Sequence, residues 1–348
     1  MYNFLKRGRL VTTVFLLVMM VLPVSGCGLG KIARERQAAA GGSIELKLAY
    51  HLPVDHHLSK SMERFAQRVE EKSGGSIIIR TYPAGQLYTD KSMNDAIMSG
   101  VLDMGLNSTA MWTTVVPAMN VLDVPFLLTN YDSVARAMDG SLGRTLSSEM
   151  QKKGVHPLIW ADYGFVQFAN NKRPLKKPED FAGLQLRGYG QIPAETIKAL
   201  GASPVTMGSG EVYMAMQHGT IDGQTSGTTA MYDRKMYEVS KYLTMTNHAF
   251  CEFVLAISDA TWSRLSAEQQ QILEEAAAET RDEIRQETRE EDRKTTEELR
   301  EAGMEVYEIP PEELPLWQAA TKPVQDNFVR STGDIGKQLV EQCLAANQ

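Results

Sequence analysis

Arg187 is set as a binding group would be: it ends an apolar stretch, Leu184-Gln185-Leu186, and is followed at once by Gly188-Tyr189-Gly190, where a ligand can approach the backbone. Strand ends are where α/β folds bind ligands. A guanidinium offers a planar pair of donors matched to a carboxylate, so an arginine held there would orient a small acid; an arginine paired with a surface Asp or Glu is the competing reading. Other chemistry is sparse. Gly188-Tyr189-Gly190 and Gly208-Ser209-Gly210 lack the third glycine and the Walker lysine of nucleotide sites. His51, His56 and His57 cluster without acidic or sulfur partners at a ligand spacing, which argues against a metal. The chain has no G-x-S-x-G elbow and no H-E-x-x-H helix, and its Ser, His and Asp are too scattered to argue a triad, so an enzyme is the lesser reading and no cofactor is expected.

The elements that must position Arg187 are legible in the periodicity. Ile44-Glu45-Leu46-Lys47-Leu48-Ala49-Tyr50 alternates as a strand with one apolar face. Asp55 is a candidate N-cap for a helix whose stripe is Leu58, Met62, Phe65 and Val69, closed by Gly74-Gly75. Ile77-Ile78-Ile79 is a β-branched strand, and residues 93–104 read as helix, turn and strand. The pattern restarts with strands at 155–160, 165–169 and 183–187, a helix at 192–200, a strand and helix within 202–218, and further strands near 220–223 and 253–257. Two α/β units follow. Residues 267–302 contain no Gly or Pro and are mostly Glu, Arg, Lys, Asp, Gln and Ala, with a thin apolar stripe of Ile272, Leu273, Ala276, Ala277, Ile284 and Leu299. This predicts a single helix on the order of 50 Å long, a solvated brace across two domains more than a coiled coil.

Composition narrows the function. At 43% hydrophobic and 23% charged residues, the 348-residue chain buries real cores, which excludes disorder, collagen and a polytopic membrane protein. Net charge is −7, and −10 once the three basic residues of the first 26 are set aside, so nucleic acid is an unlikely partner. Those three, Lys6, Arg7 and Arg9, precede an apolar run at 10–24 that is shorter than the ~20 residues a spanning helix needs. It reads as a signal peptide. Ser25-Gly26-Cys27 looks like a lipobox, which would leave an acylated Cys27 at the new N-terminus, with residues 27–43 as a tether; an uncleaved anchor is the alternative. Of the remaining cysteines, Cys251 and Cys343, two separate thiols are favoured over a single bridge.

Several motifs stand in order along the chain: Pro83-Ala84-Gly85-Gln86-Leu87, Pro125-Phe126-Leu127, Arg173-Pro174-Leu175 with Pro178-Glu179-Asp180, Gly201-Ala202-Ser203-Pro204-Val205, Glu211-Val212-Tyr213, Gly219-Thr220-Ile221-Asp222-Gly223-Gln224, and Tyr237-Glu238-Val239 through Thr246-Asn247-His248. From about residue 44 to the end the chain resembles the substrate-binding proteins of tripartite ATP-independent periplasmic (TRAP) transporters, of the dicarboxylate-binding type. The resemblance implies a two-lobed periplasmic-binding-protein fold with hinge strands and a long helix spanning both lobes. Its expected division is 44–163 with 252–291 as lobe I and 164–251 with 292–348 as lobe II.

The resemblance also implies a cleft that closes on one organic acid held by Arg187, and delivery of that acid to a membrane permease of small and large components. In such proteins a second arginine often follows Gly-Phe, where this chain has Val166, and an Asn often stands where this chain has Ser226 after Gln224. Other positions matching the cleft are His51, Tyr88, Asn107, Ser108, Gly190, Ser209 and Cys251. Arg187 is then expected to be the sole arginine on the ligand. Small residues at Gly190, Ser209 and Ser226, with Tyr163 and Tyr189 nearby, leave room for an apolar or aromatic body on a single acid, so a monocarboxylate is expected over a dicarboxylate. Trp160 and Phe165 are either part of that wall or core packing. A receptor for a neutral, aromatic or lipid-like ligand, with a structural Arg187, and an exported two-domain enzyme are the alternatives. The expected location is periplasmic or the outer face of the cytoplasmic membrane, with contact to the membrane only through the lipid.

Overall fold

The computed structural model describes residues 43–348. The leader, Cys27 and the tether up to residue 42 lie outside the described residues. One mixed sheet carries the strands β1 (Ile44–Tyr50), β2 (Ile77–Tyr82), β3 (Met104–Ser108), β4 (Val155–Asn170), β5 (Gln185–Gly188), β6 (Ser203–Thr206), β7 (Gly223–Gly227), β8 (Tyr242–Ser258) and β9 (Glu305–Glu308). Their order is β2-β1-β3-β8-β4-β7-β5-β6, with β9 beside β8. The helices are α1 (His57–Lys72), α2 (Met93–Met98), α3 (Thr109–Trp112), α4 (Tyr131–Asp139), α5 (Ser141–Gln151), α6 (Gln191–Ala199), α7 (Val212–Gln217), α8 (Thr228–Asp233), α9 (Asp259–Trp262), α10 (Ala267–Glu301), α11 (Leu314–Thr332) and α12 (Asp334–Ala346).

Two strands are shared by both lobes. The C-terminal half of β8 pairs with β3, whereas the C-terminal half of β4 pairs with β7, so the sheet of one lobe passes into the other through the antiparallel β4–β8 pair. The segments 155–160 and 165–169 expected as separate strands are one strand of 16 residues. Register shifts at Pro157/Ile159, Asp162/Gly164 and Val166/Phe168 explain the mismatch, because each bulge resets the alternation that marks a strand in sequence. The core divides with the lobes. Leu46, Met62, Phe65, Leu255 and Ile257 pack under α1 and α10, while Phe168, Phe181, Leu186, Ile197 and Trp317 form a separate cluster around β5.

The helix α10 runs 35 residues without a break and touches α1, β4 and α8, bracing both lobes as its composition predicts. Its buried face is wider than the apolar stripe, because Thr280, Thr288, Thr295 and Thr296 continue it. Each of these hydroxyls donates to the carbonyl four residues back, at 2.7–2.8 Å, and so is satisfied without water. Asp292 lies on the same face and accepts from Tyr131, from Thr228 Oγ1 at 3.0 Å and from Phe165 N at 3.3 Å. It sits so near β4 that a Cβ at Gly164 would fall 2.6 Å from its Oδ2, and Gly164 has φ +123°, a conformation open to glycine alone.

Two details depart from expectation. The N-cap of α1 is His56, whose Nδ1 accepts from Leu58 N at 3.2 Å, instead of Asp55. The C-terminal segment 292–348 is divided: α11 packs on α6, but α12 returns to α4 and α5, where Asn347 Nδ2 donates to Leu127 O at 2.7 Å. No helix among the described residues is long and apolar enough to cross a membrane.

Candidate functional site

A cleft opens where the shared strands pass between the lobes. Residues 44–163 supply His51, Ser108 and Tyr163 to its wall; Val166, Arg187, Tyr189, Ser209, Gln224 and Ser226 come from the other side, and Cys251 from β8. These ten expected residues meet in one place. Three others do not line it. Asn107 is fully buried behind the wall, donating from Nδ2 to Asp90 O and to Asn94 Oδ1, both at 2.8 Å, while its Oδ1 accepts from Ser108 N. Tyr88 packs against the core of its own lobe, and Gly190 allows the 188–190 turn to approach α3, since a Cβ there would stand 3.3 Å from that of Ala110.

Arg187 reaches the cleft from the end of β5 and is only 4% exposed. Its Nε donates to Met207 O at 3.1 Å and its Nη1 to Thr225 O at 3.4 Å, so backbone carbonyls hold the fork while Nη2 has no hydrogen-bond partner among the described residues. Among the described residues, the surface ion pair of the competing reading is not formed. Burial pulls its pKa down to about 10 against the opposing pull of Tyr163, Asp90 and Tyr189. A desolvated cation held only by neutral carbonyls is a group that an anion would stabilise.

One wall is aromatic. His57, His56, Tyr163, Phe253 and His51 stack in sequence with centroid separations of 4.5, 5.4, 5.0 and 5.7 Å and near-parallel planes. Burial pushes the His51 imidazole down to about 4, so it is neutral at physiological pH. Trp160 and Phe165 are packing residues: the Trp160 indole donates to Ser147 Oγ at 3.1 Å, and Phe165 meets Tyr131 and Phe250 edge-on. Cys251 and Cys343 are separate buried thiols.

The structure adds residues that sequence reasoning missed. Phe253 was within reach, since it stands two places after Cys251 on β8 and so shares its face. Met111, Ala230 and Met236 add apolar lining. Asp90 contributes a carboxylate that accepts from Ser209 N at 3.2 Å and Ser209 Oγ at 3.3 Å across the cleft. Burial pushes its pKa up, but His51, the Ser209 donors and Arg187 together hold it below the ordinary value. Arg234, just past α8, also lines the cleft, a second arginine beside Arg187. Its Nη2 donates to His51 O at 3.3 Å. Tyr189 makes another contact across the cleft, donating to Asp123 Oδ1 at 2.8 Å.

Comparison with known proteins agrees with this architecture. The family profile described as bacterial extracellular solute-binding protein, family 7, matches residues 48–332. The C4-dicarboxylate-binding periplasmic protein DctP of Rhodobacter capsulatus is 31% identical over 293 residues, which span 83% of this chain and 88% of that protein. A TRAP periplasmic solute-binding protein from Shewanella oneidensis with bound succinate is similar in structure at TM-score 0.84 and 27% identity, covering 88% of this chain and 100% of that one. Another from a Sulfitobacter species, with bound β-D-galacturonate, reaches TM-score 0.83 at 27% identity, covering 87% and 100%.

Proposed function

The chain belongs to the bacterial extracellular solute-binding proteins of family 7 and is a TRAP solute-binding receptor, and from that premise we propose that its cleft takes one small organic monocarboxylate for delivery to an ion-coupled membrane permease. The observation that carries this reading is Arg187, buried at a strand end with Nη2 unclaimed. Acids bound by structural relatives, succinate and galacturonate, support a carboxylate as the recognised group. The preference for one carboxylate follows from the charges lining the cleft: Arg187 and Arg234 against an ionised Asp90, with His51 neutral, leave a single positive charge. Val166, Met111, Met236 and the aromatic wall then favour an apolar or planar body on that acid.

A thermal-shift screen tests the reading with phenylacetate, mandelate and benzoate, their neutral counterpart phenylacetamide, and the diacid succinate, because a ligand bound only to the folded state raises the melting temperature by mass action. Truncating one partner of a desolvated charge pair costs about 2–5 kcal/mol, roughly 30-fold to several thousandfold in affinity, so Arg187→Ala is expected to abolish the shift. A monocarboxylate should outperform both other classes. Equal shifts from phenylacetamide, retained in Arg187→Ala, would replace the acid by a neutral ligand.

We also infer that acylated Cys27 tethers the receptor to the outer face of a membrane. Fatty-acid label incorporated equally by wild type and Cys27→Ala would overturn that inference. The lobes are taken as 44–163 with 252–291 and 164–251 with 292–333, amended by the return of α12 to the first.

A further inference from the structure

We propose that Arg234 is the second cation of the anion seat, so that a ligand's carboxylate lies between Arg187 and Arg234. This rests on the carboxylate reading above and says which groups hold that carboxylate. Arg234 stands at the neck of the cleft, bordering both the inner chamber and the outer mouth lined by Gly85, Lys91 and Glu211. A left-handed residue, Lys235 at φ +55°, turns the chain directly after it. Of the guanidinium's donors, only Nη2 is engaged among the described residues, through the His51 carbonyl.

No acid forms an ion pair with it among the described residues, although the carboxyl of the neighbouring Asp233 feels its charge. Asp90, the carboxylate of the cleft wall, already accepts from both Ser209 donors and from Lys91 N at 3.0 Å. Arg187 likewise spends its bonds on carbonyls, and the charge of each arginine opposes that of the other. Two cations share a chamber walled by Phe253, Met111 and Val166 with the single carboxylate of Asp90, so one positive charge is left over that an anion would offset. Arg187 and Arg234 both belong to the 164–251 lobe, and the hydrogen bond from Arg234 Nη2 to the His51 carbonyl links that lobe to the other.

The test uses bromide, a monoanion independent of the identity of the ligand, located by its anomalous scattering in soaked crystals of the wild type, Arg187→Ala, Arg234→Ala and Arg234→Lys. A peak touching both guanidinium groups is expected in the wild type. Its occupancy should fall by roughly ten-fold or more in either alanine variant, since each removes one charge-assisted contact. Lysine at 234, which keeps the charge, should retain the peak and also reports on any folding defect of the alanine variant. Bromide seated on Arg187 alone, with full occupancy in Arg234→Ala, would overturn the role of Arg234 while leaving the acid-binding reading intact. A wild-type cleft without bromide would count against both.

Discussion

Replacing Asp123 by Asn isolates a buried carboxyl beside the cleft that is costly to ionise. Asp123 is 2% exposed, accepts from the Tyr189 hydroxyl through Oδ1, and leaves Oδ2 buried without a partner. Burial pushes its pKa up to about 7, with the Tyr189 hydrogen bond pulling the other way. In an unfolded chain an aspartate titrates near pH ~4. Between about pH 4 and about pH 7 the folded protein therefore holds a proton that the unfolded chain has released; stability falls as pH rises through that window and is level above it. Three pH units at ~1.4 kcal/mol each amount to about 4 kcal/mol. Asparagine has nearly the same shape, still accepts from Tyr189, and never ionises. Urea unfolding of both proteins across that range should find them alike near pH ~4 and the variant more stable by about 4 kcal/mol above pH ~7, with contributions from the histidines cancelling in the difference. A difference that does not change with pH would refute a buried, protonated Asp123.

Gly227→Ala would place a Cβ 2.6 Å from Tyr163 Cε1, and that ring is stacked between His56 and Phe253. The variant should lose about 1–3 kcal/mol in chemical denaturation, and an unchanged unfolding midpoint would mean that the ring yields freely. Arg64, Arg68 and Lys72 of α1 pair with Glu275, Glu279, Glu283 and Glu287 of α10, mostly half exposed, so raising salt to about 1 M should cost no more than about 1 kcal/mol in the same assay. Cys251 and Cys343 are buried, and burial pushes the Cys343 thiol up to about 12; both should resist a thiol reagent until the protein is unfolded, and fast labelling of the native protein would contradict this placement.

The brace helix was legible because 35 residues without Gly or Pro admit few other structures, yet its buried face was not. Thr280, Thr288, Thr295 and Thr296 look polar in a sequence, and only the bonds to their own preceding turn make them suitable for burial. Asp292 is likewise one acid among many on a charged helix. What distinguishes it is the approach of β4 at Gly164, over a hundred residues away.

The same reasoning separates the two arginines of the cleft. Arg187 could be read from its neighbours, because an apolar strand ending at glycines is a local pattern with a local meaning. Arg234 lies in Asp233-Arg234-Lys235, a run that reads as a solvated turn, and its immediate neighbours do not mark it as facing a ligand. Its position depends on the left-handed turn at Lys235, the His51 carbonyl of the opposite lobe, and the stack of rings that shapes the wall. Val166 stands at a position where the chain's resemblance leads one to expect a cation, and Arg234, on another element, lines the same cleft. Counting charges along a matched motif therefore undercounts those in the folded cleft, and a ligand class argued from the motif alone inherits that error. The proposal of a monocarboxylate is argued from the folded count: two guanidinium groups, one ionised carboxylate and one neutral imidazole around a single chamber.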